Sequence, residues 1–235
     1  MSPLRVIAWS LLLSSCTSNS VAGVIAKHRP GVDRTIADIR ALESRLPPGS
    51  EPLAKVEAPP VPLFLEKPKS DEDNAMFVYA EDLARPGRAS EVPLRTKDST
   101  PLLQCGSLLD SGALFFATEH TRLTPSVAQG YLSACERLRF VLVIRGREFR
   151  APQVETGERK FVSGFYRAEV LTFDLATGKS LGGFEVSARN DEDLTVVSGE
   201  DREQRVLRNF EGAINSALRE GARLAFPGSL PPPVL

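Results

Sequence analysis

A proline-rich segment divides the chain and limits where a folded domain can begin. Between residues 47 and 68, seven of 22 residues are proline. Proline lacks a backbone N–H and restricts φ, so such a segment disfavours helices and the interior of a sheet. We expect a semi-rigid spacer over residues 47–73, a folded domain over residues 74–226 and a disordered, proline-rich tail over residues 227–235. The alternative is a proline-rich coil that wraps the surface of the domain.

The composition excludes several classes of protein. The 235 residues are 42% hydrophobic and 25% charged, with a formal net charge of −1. These fractions are near the average for globular domains and argue against global disorder or several membrane spans. No run of Lys or Arg exceeds two residues. The balance of charge therefore predicts no nucleic-acid partner.

Apolar runs and turn signals predict an α+β fold. The last predicted helix carries an apolar face and ends before Pro227. We expect a mostly antiparallel sheet of about five strands, with helices packed on one face and the other face partly solvated. The predicted strands are 75–79, 113–117, 138–144, 161–173 and 181–188, and the predicted helices are 101–109, 124–137 and 202–225.

A glycine marks the turn between the last two predicted strands. Residues 174–179 read as a hairpin, with Gly178 at the position that favours a positive φ. The triplet Gly178-Lys179-Ser180 resembles the end of a phosphate-binding loop. That loop also needs a glycine where this chain has Phe173, and it must open a helix rather than join two strands. We therefore expect no nucleotide.

An amphipathic helix is predicted over residues 32–46, after a tether over residues 16–31. Its apolar stripe is spaced for one helix face, and charges of both signs lie between the stripe positions. A stripe of this kind has to dock, and the candidates are its own domain, a second helix from a partner or another copy, and the membrane. We assign the stripe as a candidate partner-binding site, with residues Val32, Ile36, Ile39, Leu42 and Leu46.

The N-terminus has the pattern of a secretory signal. Arg5 precedes an apolar stretch over residues 6–13, which is far shorter than the ~20 residues of a membrane-spanning helix. The sequence Leu13-Ser14-Ser15-Cys16 then resembles the lipobox of bacterial lipoproteins. The resemblance implies removal of residues 1–15 and acylation of Cys16, which anchors the chain to a membrane. Thr17 stands where inner-membrane lipoproteins often have Asp, which favours the outer membrane, facing the periplasm.

The remaining two cysteines form an even pair. An envelope location is oxidising, so we expect a disulfide between Cys105 and Cys135. The alternative is two buried thiols that do not meet.

Residues with catalytic potential are few. The chain has two histidines, His28 and His120, so we expect no metal site and no cofactor. A pair of carboxylates remains conceivable, with Asp110, Glu119 and Glu169 as candidates. The densest basic segment, Arg145 to Arg150, is interpreted as a solvated hairpin end, with contact to an acidic partner or lipid phosphate as the alternative.

These observations favour a non-enzymatic lipoprotein of the cell envelope that acts as a binding or assembly module through contact with an unidentified envelope protein. The alternatives are an envelope hydrolase that acts on cell-wall polymer through a carboxylate pair and a carrier of a small ligand.

Overall fold

A computed structural model describes residues 20–49, 51–65, 73–86, 100–113, 123–154, 161–191 and 201–228. These segments contain four α-helices and six β-strands. The helices are α1 (Val21–Ala41), α2 (Thr100–Ser111), α3 (Pro125–Glu136) and α4 (Arg202–Ala225). The strands are β1 (Ala75–Tyr79), β2 (Phe140–Arg150), β3 (Gln153–Val154), β4 (Phe161–Val162), β5 (Phe165–Asp174) and β6 (Lys179–Arg189). The combination of helices and sheet confirms the predicted α+β class.

The main sheet is mixed, and the described residues contribute four strands to it. The strand order is β1-β2-β5-β6, while β3 and β4 form a separate two-stranded sheet. Strand β1 runs parallel to β2, and the other pairs are antiparallel. The prediction of about five mostly antiparallel strands is therefore corrected. Helices α2 and α3 lie between β1 and β2 in the chain, and such a crossover permits parallel pairing. Apart from Ala113, the predicted strand 113–117 lies outside the described residues.

Helices cover both faces of the sheet, so the prediction of helices on one face is wrong. One apolar cluster joins the sheet to α1, α2 and α3, and a second joins the opposite face to α4. The physical reason is visible in β2, where residues 140–144 are all buried although successive side chains point to opposite faces. We call the face under α1–α3 the first face and the face under α4 the second face.

Helix α1 begins much earlier than predicted. It begins at Val21. The preceding residue, Ser20, caps the helix, because its side-chain oxygen accepts a hydrogen bond from the backbone N–H of Gly23. The helix contains Pro30 and ends at Ala41, with a short 3-10 turn over Glu43–Arg45. The predicted tether over residues 16–31 and helix over 32–46 are corrected accordingly. Packing against α3 compensates for the hydrogen bond that proline removes inside a helix.

The proline-rich segment is not an extended spacer. Residues 47–49 and 51–65, here named the strap, run along the domain, and Leu63 is buried in the core of the second face. The backbone N–H groups of Asn74 and Ala75 donate to the carbonyl of Phe64, which joins the strap to the start of β1. The coil that wraps the domain is therefore the alternative that the structure confirms. Of the predicted tail, residues 229–235 lie outside the described residues.

Local signals near the cysteines and the hairpin are confirmed. Thr124 caps α3 by accepting a hydrogen bond from the N–H of Val127. Cys105 on α2 and Cys135 on α3 form the predicted disulfide. Gly178 has φ of 64° in the turn between β5 and β6. The helix cap and the glycine turn depend on residues close in sequence, and the disulfide depends on one pair of cysteines, so all three could be predicted from the sequence.

Candidate functional site

Part of the first face is not covered by the helices of the described segments. Near the end of β2 and across β5 and β6, the side chains on this face are polar or charged, and most are exposed. The strand register places them on the same face as the buried Leu171. We name this surface the open sheet face, and it consists of Arg147, Glu148, Arg150, Phe165, Arg167, Glu185, Ser187 and Arg189.

One row of the open sheet face combines an aromatic ring with two arginines. Phe165 lies directly opposite Arg150 on one side and Arg189 on the other. The Arg150 guanidinium carbon is 5.5 Å from the centre of the Phe165 ring, and that of Arg189 is 5.1 Å away. These distances are typical of cation–π contacts. We name these three residues the arginine–phenylalanine row.

A buried carboxylate lies where the open sheet face meets the helices. Glu169 is 7% exposed and accepts hydrogen bonds from two arginines. Arg145 Nη2 lies 2.6 Å from Glu169 Oε2, and Arg147 Nη2 lies 2.5 Å from Oε1. Burial raises the pKa of Glu169, but the hydrogen bonds and positive charges of both arginines outweigh it, so the pKa lies below its ordinary value. The carboxylate is therefore held ionised, with both oxygens engaged.

The same arginines hold the strap. Arg145 donates to the carbonyl of Pro47 at 2.6 Å, and Arg147 donates to the carbonyl of Gly49. The basic segment was interpreted as a solvated hairpin end, and this is wrong for Arg145, whose side chain is 15% exposed. The two arginines link the sheet, the buried carboxylate and the strap.

Further along the chain, the strap forms hydrogen bonds with β6, the strand at one edge of the main sheet. The N–H of Glu57 donates to the carbonyl of Leu181 at 2.8 Å, and the N–H of Gly183 donates to that of Ala54 at 3.0 Å. A Cβ built on Gly182, whose φ is +89°, would lie 2.4 Å from the carbonyl oxygen of Lys55. The close approach of the strap therefore requires glycine at this position.

Beyond this edge, the strap and the end of α4 enclose an apolar cleft of about 440 Å³. The strap contributes prolines and small aliphatic residues, and the other wall is Ala225, Phe226, Pro227 and Gly228. No titratable side chain is among these described lining residues. The cleft can contact an apolar group, but its walls offer no acid or base.

The predicted partner-binding stripe lies in the core of its own domain. Val32, Ile39 and Leu42 are at most 1% exposed, and Ile36 and Leu46 are partly buried against the same cluster. Docking onto the domain, one of the three alternatives for this helix, is what the structure shows. The stripe packs into the core of its own domain rather than onto a partner, so its assignment as a partner-binding site is corrected.

Of the candidate carboxylates, the structure describes Asp110 and Glu169, and Glu169 is engaged by Arg145 and Arg147. His28 is buried on α1 with Nδ1 2.7 Å from Glu136 Oε2, and Asp110 is exposed on α2. Cys16, Glu119 and His120 lie outside the described residues. Across the described segments, no three His, Cys, Asp or Glu side chains are placed to hold a metal ion.

Phe165 and Arg189 were not among the predicted site residues. Polar and apolar residues alternate in β6, and this alternation is the signal in the sequence that points to a solvated face. The pattern within a single strand does not predict the register between strands, and this register places Arg150, Phe165 and Arg189 side by side.

The architecture is that of an α+β protein with a mixed sheet between two helical layers, and the described helices leave one charged end of the sheet exposed. The sequence matches no known protein-family model and no curated protein. Among the helices described, none is both long and apolar enough to cross a membrane.

Proposed function

We propose that this chain is a lipid-anchored protein of the cell envelope that acts as a binding or assembly module. It contacts a partner protein through the open sheet face. The proposed location is the outer membrane, with the domain facing the periplasm.

The main support for this proposal is the composition of the open sheet face. Solvent-exposed sheet surfaces usually carry scattered polar groups, whereas this one has an aromatic ring flanked by two arginines. Aromatic residues and arginine are enriched in protein–protein interfaces, because both offer large contact areas and directional interactions. The surface lies on three hydrogen-bonded strands and is therefore held rigid before a partner binds.

Two features support the proposed compartment. The disulfide between Cys105 and Cys135 is typical of proteins in oxidising compartments. The lipobox-like sequence ending at Cys16 supports acylation at that cysteine. Several acyl chains on one residue anchor a protein stably, since each buried CH₂ contributes about 0.8 kcal/mol.

The start of α1 sets the distance between the proposed anchor and the domain. Four residues, 17–20, separate Cys16 from the first residue of the helix. Fully extended, they span at most about 14 Å. Because the strap is packed on the domain, it cannot act as a spacer, and the proposed anchor holds the folded domain close to the bilayer.

Photo-crosslinking in the native envelope tests the contact surface. A benzoylphenylalanine at Ser187, on the open sheet face, is expected to form adducts with a small set of envelope proteins. The same group at Asp38, exposed on α1, is the matched control and is expected to form none of these adducts. Equal adduct patterns at both positions, or none at Ser187, would contradict the proposed contact.

Labelling with palmitate tests the anchor separately. The wild-type chain is expected to incorporate label, and Cys16→Ala is expected to lose it and to leave the membrane fraction. A Cys16→Ala protein that still takes up label would contradict the proposed anchor while leaving the contact surface untouched.

The apolar cleft favours a second candidate function, a carrier of a small apolar ligand. Its volume of about 440 Å³ lies within the range of ligand pockets. Val61 lines the cleft and is 43% exposed, while Val162 is 50% exposed and does not line it. For a carrier, Val61→Glu should weaken binding of an apolar fluorescent probe and Val162→Glu should not. Equal binding by both variants would contradict this function.

A further inference from the structure

We propose that the arginine–phenylalanine row binds carboxylates of an acidic segment of a partner protein. This inference rests on the proposed function, because it names the chemistry of the partner that the open sheet face recognises. The occupant is an acidic peptide segment, and its ligand groups are the carboxylates of Asp or Glu.

The charge balance of the surface favours an anionic partner. The open sheet face contains four arginines and two glutamates. Arg167 pairs with Glu185 at 2.9 Å, so these two charges offset each other. Arg150 forms a longer ion pair with Glu148, at 3.6 Å, in which both side chains are at least half exposed. Among the described residues, no carboxylate pairs with Arg189, which leaves positive charge concentrated at the row.

The cation–π contacts leave N–H donors of both arginines able to bind a ligand. A guanidinium group that lies over an aromatic ring uses its face, and its N–H donors point outward in its own plane. These donors match the two oxygens of a carboxylate and form paired hydrogen bonds with it. Phe165 also restricts the motion of both side chains, so less conformational entropy is lost when a carboxylate binds.

The spacing favours two carboxylates on one segment. Arg150 and Arg189 lie on the strands on either side of β5, so their backbones are separated by two inter-strand distances, roughly 10 Å. The exposed Glu148 and Glu185 interrupt the positive charge on the same face. A membrane surface of continuous negative charge would meet these glutamates, whereas a peptide can place its carboxylates opposite the arginines alone.

Binding of a poly-glutamate peptide to the purified chain lacking residues 1–16 tests the inference. The wild type is expected to bind, and Arg150→Gln with Arg189→Gln is expected to bind roughly tenfold more weakly, with a smaller dependence on salt. The matched control is Arg34→Gln with Arg40→Gln, which removes the same charge from exposed positions on α1 and is expected to bind as the wild type. Phe165→Leu is expected to weaken binding to an intermediate degree.

Several results would overturn the inference. One is equal binding by both double variants. Another is arginine-dependent binding to phosphatidylglycerol vesicles without binding to poly-glutamate, which would identify lipid phosphate as the ligand. Tighter binding by Glu192→Gln with Asp193→Asn would show that the chain's own acidic segment occupies the row.

The two proposals fail in different ways. Crosslinks from Ser187 that persist in Arg150→Gln with Arg189→Gln, together with no binding of poly-glutamate, would overturn the acidic partner alone. An absence of crosslinks from Ser187 in the envelope would overturn the proposed function, whatever the peptide does.

Discussion

At the scale of single residues, Glu169 shows how a sheet can hold a buried charge. Its carboxylate lies between Arg145 and Arg147, and both arginines also donate to backbone carbonyls of the strap. Burial of an isolated carboxylate would be costly, and the paired hydrogen bonds offset that cost. The result is a junction that depends on one side chain and connects β2, β5 and the strap.

We predict that Glu169→Gln lowers the free energy of unfolding by about 2 kcal/mol at pH 7, because Arg145 and Arg147 lose the charged acceptor that they share. The folded-state pKa of Glu169 is lowered, so its contribution to stability is complete above the ordinary value of 4.5 and is lost as the pH falls through the lowered pKa. The variant should therefore lose less stability than the wild type below about pH 5.

Urea unfolding at a series of pH values measures both effects. Glu185→Gln is the control, because Glu185 is 55% exposed in its ion pair with Arg167 and should contribute little. Identical pH profiles for Glu169→Gln and the wild type would contradict the assignment of this buried junction.

At the scale of elements, the strap depends on a glycine at the sheet edge. Gly182→Ala is predicted to destabilise the fold by about 2 kcal/mol, because the added Cβ meets the carbonyl of Lys55 and alanine disfavours the positive φ. Hydrogen exchange at Glu57 and Gly183 should accelerate, since their pairing across this edge would be strained.

Gly130→Ala is the control for that substitution. A Cβ at Gly130 meets nothing within 4 Å, and α3 is helical there. Alanine should stabilise this helix by about 0.5–1 kcal/mol. A Gly182→Ala protein as stable as the wild type would show that the strap does not approach β6 closely.

Helix α1 is a core element rather than a projecting arm. Ile39 is fully buried, so Ile39→Ala is predicted to lower the free energy of unfolding by about 3 kcal/mol. Arg40→Ala, at the exposed neighbouring position, should change it by less than about 0.5 kcal/mol. Denaturant unfolding measures both values, and equal stability of the two variants would mean that α1 does not dock.

The disulfide joins α2 to α3 on the first face. Cysteines 30 residues apart enclose a loop whose closure stabilises the fold by about 3–4 kcal/mol in the chain-entropy model. Cys105→Ser with Cys135→Ser is predicted to lose that amount, measured by thermal unfolding. Free thiols in the wild type under non-reducing mass spectrometry would contradict the bridge.

At the scale of the whole molecule, one sheet separates two apolar clusters. Helices α1–α3 cover one, and α4 covers the other, while the strap connects both sides around the edge of β6. The strands that carry the open sheet face also form the floor of both clusters. The proposed binding surface is therefore supported by the whole core rather than by one loop.

The short link to the proposed anchor leads to a prediction about position. A fluorophore on Ala22→Cys, exposed at the start of α1, should be quenched by spin-labelled lipids. Insertion of a flexible Gly-Ser segment of about ten residues between Ser18 and Asn19 should reduce the quenching, because it lengthens the link to the bilayer. The same insertion after Gly228 is the control. Unchanged quenching after the first insertion would contradict an anchor at Cys16.

The sequence by itself predicted those features that are determined by residues close together in the chain or by a matching pair of residues. Thr124 and Pro125 mark the start of α3, Gly178 marks the hairpin, and the two cysteines form their bridge. In each case, the determining contacts lie within a few residues or between the two members of an even pair. Helices α2 and α3 and strand β6 accordingly begin and end within two residues of the predicted positions, whereas the predicted strand 161–173 is divided into β4 and β5.

Tertiary structure decided what depends on distant partners. Pro30 lies inside α1 because α3 supports that helix, and the strap is held by Arg145, Arg147 and the edge of β6. The parallel pairing of β1 with β2 and the helices on both faces follow from the path of the chain between strands. The arginine–phenylalanine row exists because the register brings three strands into line, and register is set by the packing of both faces rather than by the composition of any one strand.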